Sequence, residues 1–193
     1  MNLLDESPGF SPEQAAGIVR QHFGLQVTSC KPLASERDQN FHVITEAGDA
    51  FVLKVSNATE DRHFLEGQNE MLQHLASRIN FCPAVRPATD GQQIVVVHQN
   101  DKSHLVRLVS FLPGRPMAEC RFVSDTLLID IAAKVADIDN ALLDFQHPGF
   151  QRSFHWDLAQ AETVVQERLH LILSLIHISS PRDQRGSRMP SSA

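Results

Sequence analysis

Lys54 stands in the run Ala50-Phe51-Val52-Leu53-Lys54-Val55, and Glu66 and Glu70 follow it, one helical turn apart. A cation on an apolar strand, followed by carboxylates on a helix, is an arrangement suited to phosphate. The ammonium meets phosphate oxygens, and a helix carboxylate keeps the ammonium in place. Burying an ammonium with no anion nearby is costly, so Lys54 either has an anionic neighbour or snorkels out from an edge strand. Upstream, Ser35-Glu36-Arg37-Asp38-Gln39-Asn40 is a polar turn that can lie over phosphates. Downstream, Phe111-Leu112-Pro113-Gly114 falls where a connection between two lobes would offer its backbone to a nucleobase.

The elements that must position these residues can be read from periodicity. Ser11-Pro12-Glu13-Gln14 opens a helix: Ser11 caps, Pro12 suits the first helical position, and Gln14 completes a capping box. Ala15, Ile18, Val19, His22 and Phe23 continue at helical spacing up to Gly24. Val27 to Leu33 reads as a strand, and Phe41, Val43 and Thr45 mark a second. Glu46-Ala47-Gly48-Asp49 then turns into the lysine strand. A helix is expected from about Thr59 to Arg78, with Phe64, Leu65, Met71, Leu72, Leu75 and Ile79 as its apolar stripe. Val85 to Thr89 and Ile94 to His98 flank Asp90-Gly91, which predicts a hairpin. His104 to Phe111 is a further strand. Leu128, Ile131, Val135, Ile138 and Leu142 then spell an amphipathic helix, and another begins near Leu158. The fold class is α+β: an antiparallel sheet with a helix beside it, then the start of a helical lobe.

Composition narrows the partners. A net charge of -6 argues against nucleic acid, whose phosphates are bound by basic surfaces. Three widely spaced cysteines fit a reducing, cytoplasmic setting and supply neither a disulfide framework nor a zinc site. No apolar run is long enough for a membrane span, and the N-terminal residues lack the basic and apolar regions of a signal peptide.

Three segments carry a resemblance: Ser35-Glu36-Arg37-Asp38-Gln39-Asn40-Phe41, Phe51-Val52-Leu53-Lys54-Val55-Ser56-Asn57, and Glu66-x-Gln68-Asn69. Together they resemble the aminoglycoside phosphotransferase and choline kinase superfamily, most closely its hydroxylysine-kinase branch. That branch includes phosphotransferase domains fused ahead of a class III aminotransferase. Leu112-Pro113-Gly114-Arg115-Pro116 and Phe154-His155-Trp156-Asp157-Leu158 fit the same group, so the likeness runs from about Phe10 to Leu169. The resemblance implies a protein-kinase-like N-lobe over residues 1–112, with a hinge and an incomplete helical C-lobe over 113–172. It also implies ATP or GTP with Mg²⁺, and phosphorylation of a hydroxyl on a small amine or amino acid. By the same resemblance Lys54 contacts the nucleotide phosphates and Glu66 orients it, with Glu70 as the alternative. Ser35, Gln39 and Asn40 would line the phosphate loop, and Phe111 and Leu112 the base. A non-catalytic nucleotide-binding module, or a structural domain attached to an aminotransferase, is the other reading.

The chemistry of transfer needs more than this. Kinases of the family use a His-x-Asp motif with Asn five residues after the Asp. His155-Trp156-Asp157 matches only in part, because Glu162 stands where Asn is required. Asp157 is therefore read as a helix cap, and the chain is expected to have no catalytic residue or metal ligand of its own. Residues 173–193 are read as a non-native or disordered tail. Leu173 to Ser179 resembles the translation of a transposon end used in sequencing libraries; an apolar helix built on Leu171, Leu175 and Ile178 is the alternative.

Overall fold

The computed structural model describes residues 6–152 and 157–173. The readings made for Phe154 to Trp156 and for the tail from residue 174 onward lie outside the described residues. The chain divides into two compact units, Met1–Phe150 and Gln151–Ala193.

The first unit opens with α1 (Pro12–Phe23), capped as its sequence dictates. The Gln14 backbone N–H donates to Ser11 Oγ at 3.2 Å, and the Ser11 N–H donates to Gln14 Oε1 at 2.8 Å. Gly24 ends the helix at φ 66°, where its N–H reaches the Arg20 carbonyl. Three antiparallel strands follow: β1 (Val27–Leu33), β2 (Gln39–Thr45) and β3 (Ala50–Val55). After α2 (Arg62–Ala76) come β4 (Val85–Arg86), β5 (Val95–Gln99) and β6 (Lys102–Ser110). β6 pairs antiparallel with β3, and the sheet runs β1-β2-β3-β6-β4, with β5 also on β6.

The hairpin expected around Asp90-Gly91 is not where the sheet makes one. Asp90 and Gly91 do form a tight turn: the Gln92 N–H donates to Asp90 Oδ1 at 2.9 Å, and Gly91 takes φ 84°. The strands on either side nevertheless pair with successive stretches of β6 and not with each other. The hairpin is instead β5–β6, whose turn residues Asn100 and Asp101 both take positive φ, 49° and 62°. Asn and Asp tolerate that conformation better than other non-glycine residues.

Strand alternation sorts the sheet into two faces. Phe41, Val43, Leu53, Val55, Val106 and Leu108 point to one face and are fully buried with Phe10, Ile18, Val19 and Phe23. Each such side chain contributes roughly 1.5–3 kcal/mol of burial, and this core fixes the register. In that register Asn40, Lys54 and Arg107 lie directly opposite one another across β2, β3 and β6, on the other face.

α2 begins three residues later than its sequence pattern implies. The Thr59 N–H and hydroxyl both donate to Asn57 Oδ1, at 3.0 and 2.8 Å, which holds the preceding residues in a turn. Asp61 then caps the helix by accepting from the His63 N–H at 2.9 Å. At its other end Arg78 makes a two-pronged pair with Asp144, at 2.7 and 2.8 Å. Asp144 lies just beyond α3 (Asp125–Leu142), which Ser124 caps. These contacts keep α3 with the sheet and α2 in the first unit, Met1–Phe150. The amphipathic stripe of α3 is real in sequence but largely open: Leu128 and Val135 are each about half exposed, and Ala141 is the helix's one buried residue.

The second unit, described by itself, contains a 3-10 turn at Leu158–Gln160 and α4 (Ala161–Leu173). Asp157 Oδ1 accepts from the Ala159 N–H at 2.9 Å, so its carboxylate serves as an N-cap. Among the described residues no helix is long and apolar enough to cross a membrane.

Candidate phosphate-binding site

The site begins with the row across the sheet. Lys54 Nζ donates to Asn40 Oδ1 at 3.3 Å, and Asn40 Nδ2 donates to Ser35 Oγ at 3.1 Å. Ser35 belongs to the turn between β1 and β2, so this chain of bonds ties the turn to the lysine. Asp38 of the same turn accepts from the Asn57 N–H at 3.0 Å, anchoring the turn to the β3–α2 connection. Burial holds the Lys54 ammonium below its usual pKa of 10.5; Arg107 adds to the shift, and Asp38 opposes it.

Arg107 is the larger departure from sequence expectation. It is only 3% exposed, yet it carries a guanidinium. Its Nη1 donates to Asn69 Oδ1 at 2.9 Å and to the Leu65 carbonyl at 3.5 Å, while Nη2 donates to Gln68 Oε1 at 2.6 Å. Burial pushes its pKa down to about 10, against the pull of Asp38 and Glu60. Arg107 Nε and Asn69 Nδ2 are buried without a hydrogen-bond partner. The side chain on α2 nearest the cations is therefore an amide, not a carboxylate.

The expected Lys54–Glu66 pair does not form. Glu66 Oε1 lies 3.0 Å from Arg62 Nε, and Oε2 lies 3.6 Å from His63 Nδ1, on the outer side of the helix. Glu70, the alternative, lies 3.7 Å from His147 Nε2. Helical geometry is the cause: Leu65, Gly67, Asn69 and Leu75 are the buried positions of α2, while the Glu66 and Glu70 side chains are partly open to solvent. Gln39 lies apart from these groups. Strand alternation sends it to the face opposite Asn40, where its amide exchanges two hydrogen bonds with the Phe10 backbone, at 2.9 and 2.8 Å.

Phe111 and Leu112 follow β6 directly. The Phe111 N–H donates to the Ala50 carbonyl at 2.9 Å, and its ring packs on His42 with centroids 4.3 Å apart. His42 shares the face of Lys54, and its Nε2 is buried with no partner. Leu112 is exposed. The structure thus brings together Ser35, Asn40, Lys54 and the missed Asp38, Arg107, Gln68 and Asn69. Arg107 was detectable by the signal that singled out Lys54, a cation inside an apolar strand. Gln68 and Asn69 stood in the quoted Glu-x-Gln-Asn segment, but nothing in the spacing pointed them at a cation on β6.

An antiparallel sheet with one helix on its polar face and a lysine in the central strand is the α+β architecture of a kinase-like N-lobe. The model of the phosphotransferase enzyme family, APH, matches residues 29–178, and the chain belongs to that family. It is 34% identical over 169 residues to a hydroxylysine kinase of Bos taurus, covering 78% of this chain and 44% of that protein. The Mus musculus hydroxylysine kinase is 33% identical over the same length, with the same coverage. The chain thus spans about half the length of the curated relatives it matches. Among solved structures, the amicoumacin kinase hAmiN in complex with AMP-PNP, Ca²⁺ and Ami shares the fold. Its TM-score is 0.62 at 16% identity, covering 90% of this chain and 56% of that one.

Proposed function

We propose that this chain carries the nucleotide-binding half of a small-molecule kinase. The whole protein would transfer the γ-phosphate of ATP or GTP to a hydroxyl of a small amine or amino acid resembling hydroxylysine. The observation that carries this is the row Asn40–Lys54–Arg107, two cations and an amide set side by side on the sheet face opposite the apolar core. A polyanion is the ligand that such a row attracts. In this reading Lys54 contacts phosphate oxygens, held at its post by Asn40, and Ser35 to Asn40 form the loop above them. The backbone at Phe111 and Leu112 would receive the base.

Mg²⁺ would accompany the nucleotide, since divalent ions bridge phosphate oxygens in phosphoryl transfer. Among the described residues no group of three or more His, Cys, Asp or Glu is arranged to hold a metal ion, so no step is assigned to protein-held metal in this chain. The sequence also lacks the Asp-plus-Asn motif that orients an attacking hydroxyl. The chain by itself is therefore proposed to bind nucleotide weakly and to transfer nothing.

Titrating Mg·ATP and Mg·GTP into the 193-residue chain, followed by amide chemical shifts, tests this reading. Saturable shifts at Ser35–Asn40, Lys54 and Phe111, with no phosphate transferred to hydroxylysine, are expected. Shifts confined to α1 or α3, or measurable transfer, would overturn it.

A further inference from the structure

Lys54 and Arg107 are direct cross-strand neighbours of like charge, and such pairs are destabilising. Arg107 is also nearly inaccessible, and removing a guanidinium from water is costly unless an anion compensates. Among the described residues no carboxylate forms an ion pair with it; Asp38 and Glu60 act on it only through space. The remedy is one atom away, because Gln68→Glu would put a carboxylate where an amide oxygen already sits 2.6 Å from Nη2. A site selected for stability alone would have that glutamate.

We propose that Arg107 is a positioning residue of the phosphate site: a guanidinium beside Lys54 whose hydrogen-bond partners are all neutral, locked to α2 by the amides of Gln68 and Asn69. Two functions follow from that geometry. Each amide oxygen holds one arm of the planar fork, so the position of α2 is fixed from the sheet rather than through a lysine–glutamate pair. Because both amide partners are neutral, neither cancels the charge of Arg107, which adds to that of Lys54 in a field aimed at a polyphosphate. A helix carboxylate in the same place would cancel half of it. The inference rests on the kinase reading for the identity of the ligand, but not for the arrangement of the cations.

Two variants at one position separate charge from packing. Gln68→Glu adds a counter-ion while keeping shape, and Gln68→Met keeps bulk while removing the hydrogen bond. Each, with the wild-type chain, is titrated with Mg·ATP and with inorganic tripolyphosphate by chemical-shift mapping, and the melting temperature of each is recorded. One unit of opposing charge at an effective dielectric of about 20 makes Gln68→Glu bind both probes about tenfold more weakly than Gln68→Met. Its melting temperature is expected at or above that of Gln68→Met. Equal affinities for the two variants would overturn the role of Arg107's charge, whatever their stabilities. A wild-type chain that binds neither probe would overturn the phosphate-site reading itself, and this proposal with it.

Discussion

Gly67→Ala tests how tightly α2 is held against the turn that follows α3. In the interior of an exposed helix this change stabilises by about 1 kcal/mol, because alanine loses less backbone entropy than glycine. At Gly67 the new methyl group would lie 2.6 Å from His147 Nδ1 and 3.1–3.2 Å from two ring carbons. The imidazole has little room to withdraw. Its side chain is 9% exposed, its Nδ1 accepts from the Gly149 N–H at 3.0 Å, and its ring packs against His63 and Phe150. Forcing a methyl group into a packed site costs about 1–3 kcal/mol. Gly17 in α1 supplies the control, since a Cβ there meets nothing within 4 Å. Helix propensity is common to both substitutions, so the gap between them measures the clash. With a urea m-value of about 2 kcal/mol/M, the midpoint of Gly67→Ala should fall below that of Gly17→Ala by about 0.5–1.5 M. Equal midpoints, with unchanged slopes, would refute the close packing of α2 on His147. Because Gln68 and Asn69 are the next residues of that helix, a displaced α2 would also loosen the hold on Arg107.

Other outcomes are equally specific. Ser11→Ala removes one half of the capping box on α1 and should cost about 1 kcal/mol by the same denaturation assay. Leu53→Ala opens a cavity at a fully buried position of the central strand and should cost about 2–5 kcal/mol, enough to unfold much of the population at 37 °C. Because burial lowers the pKa of Lys54, its charge is lost with rising pH sooner than that of a free lysine. Phosphate binding requires the protonated form, so affinity for tripolyphosphate should decline with rising pH at a lower pH than for a free lysine. A decline beginning only above 10.5 would contradict the burial of that ammonium.

How much of this could be read from the sequence follows from the range of each interaction. The α1 cap, the lysine strand and the α2 stripe rest on neighbours within one turn or one strand, and local pattern finds those. Strand pairing is different: Val85 to Thr89 and Ile94 to His98 flank a good turn, yet both serve β6, because its length offers each a partner. The site shows the same division. Asn40 and Ser35 lie close to Lys54 through a neighbouring strand and its turn, so they were legible. Glu66 rests on the Glu-x-Gln-Asn resemblance, but the 3.6-residue period places Asn69 inward, and only the register of β3 on β6 reveals that Arg107 is what it meets. The alternation of a single strand puts Gln39 on the other face, at Phe10.

The most direct test of the phosphate-site reading is the affinity of the 193-residue chain for Mg·ATP before and after Lys54→Met, measured by chemical-shift titration at one ionic strength. Removing a half-buried ammonium bonded to Asn40 should weaken binding about tenfold or more, while the shifts of the α1 core stay in place. An unchanged affinity in a folded Lys54→Met chain would show that the lysine strand is not where the nucleotide sits.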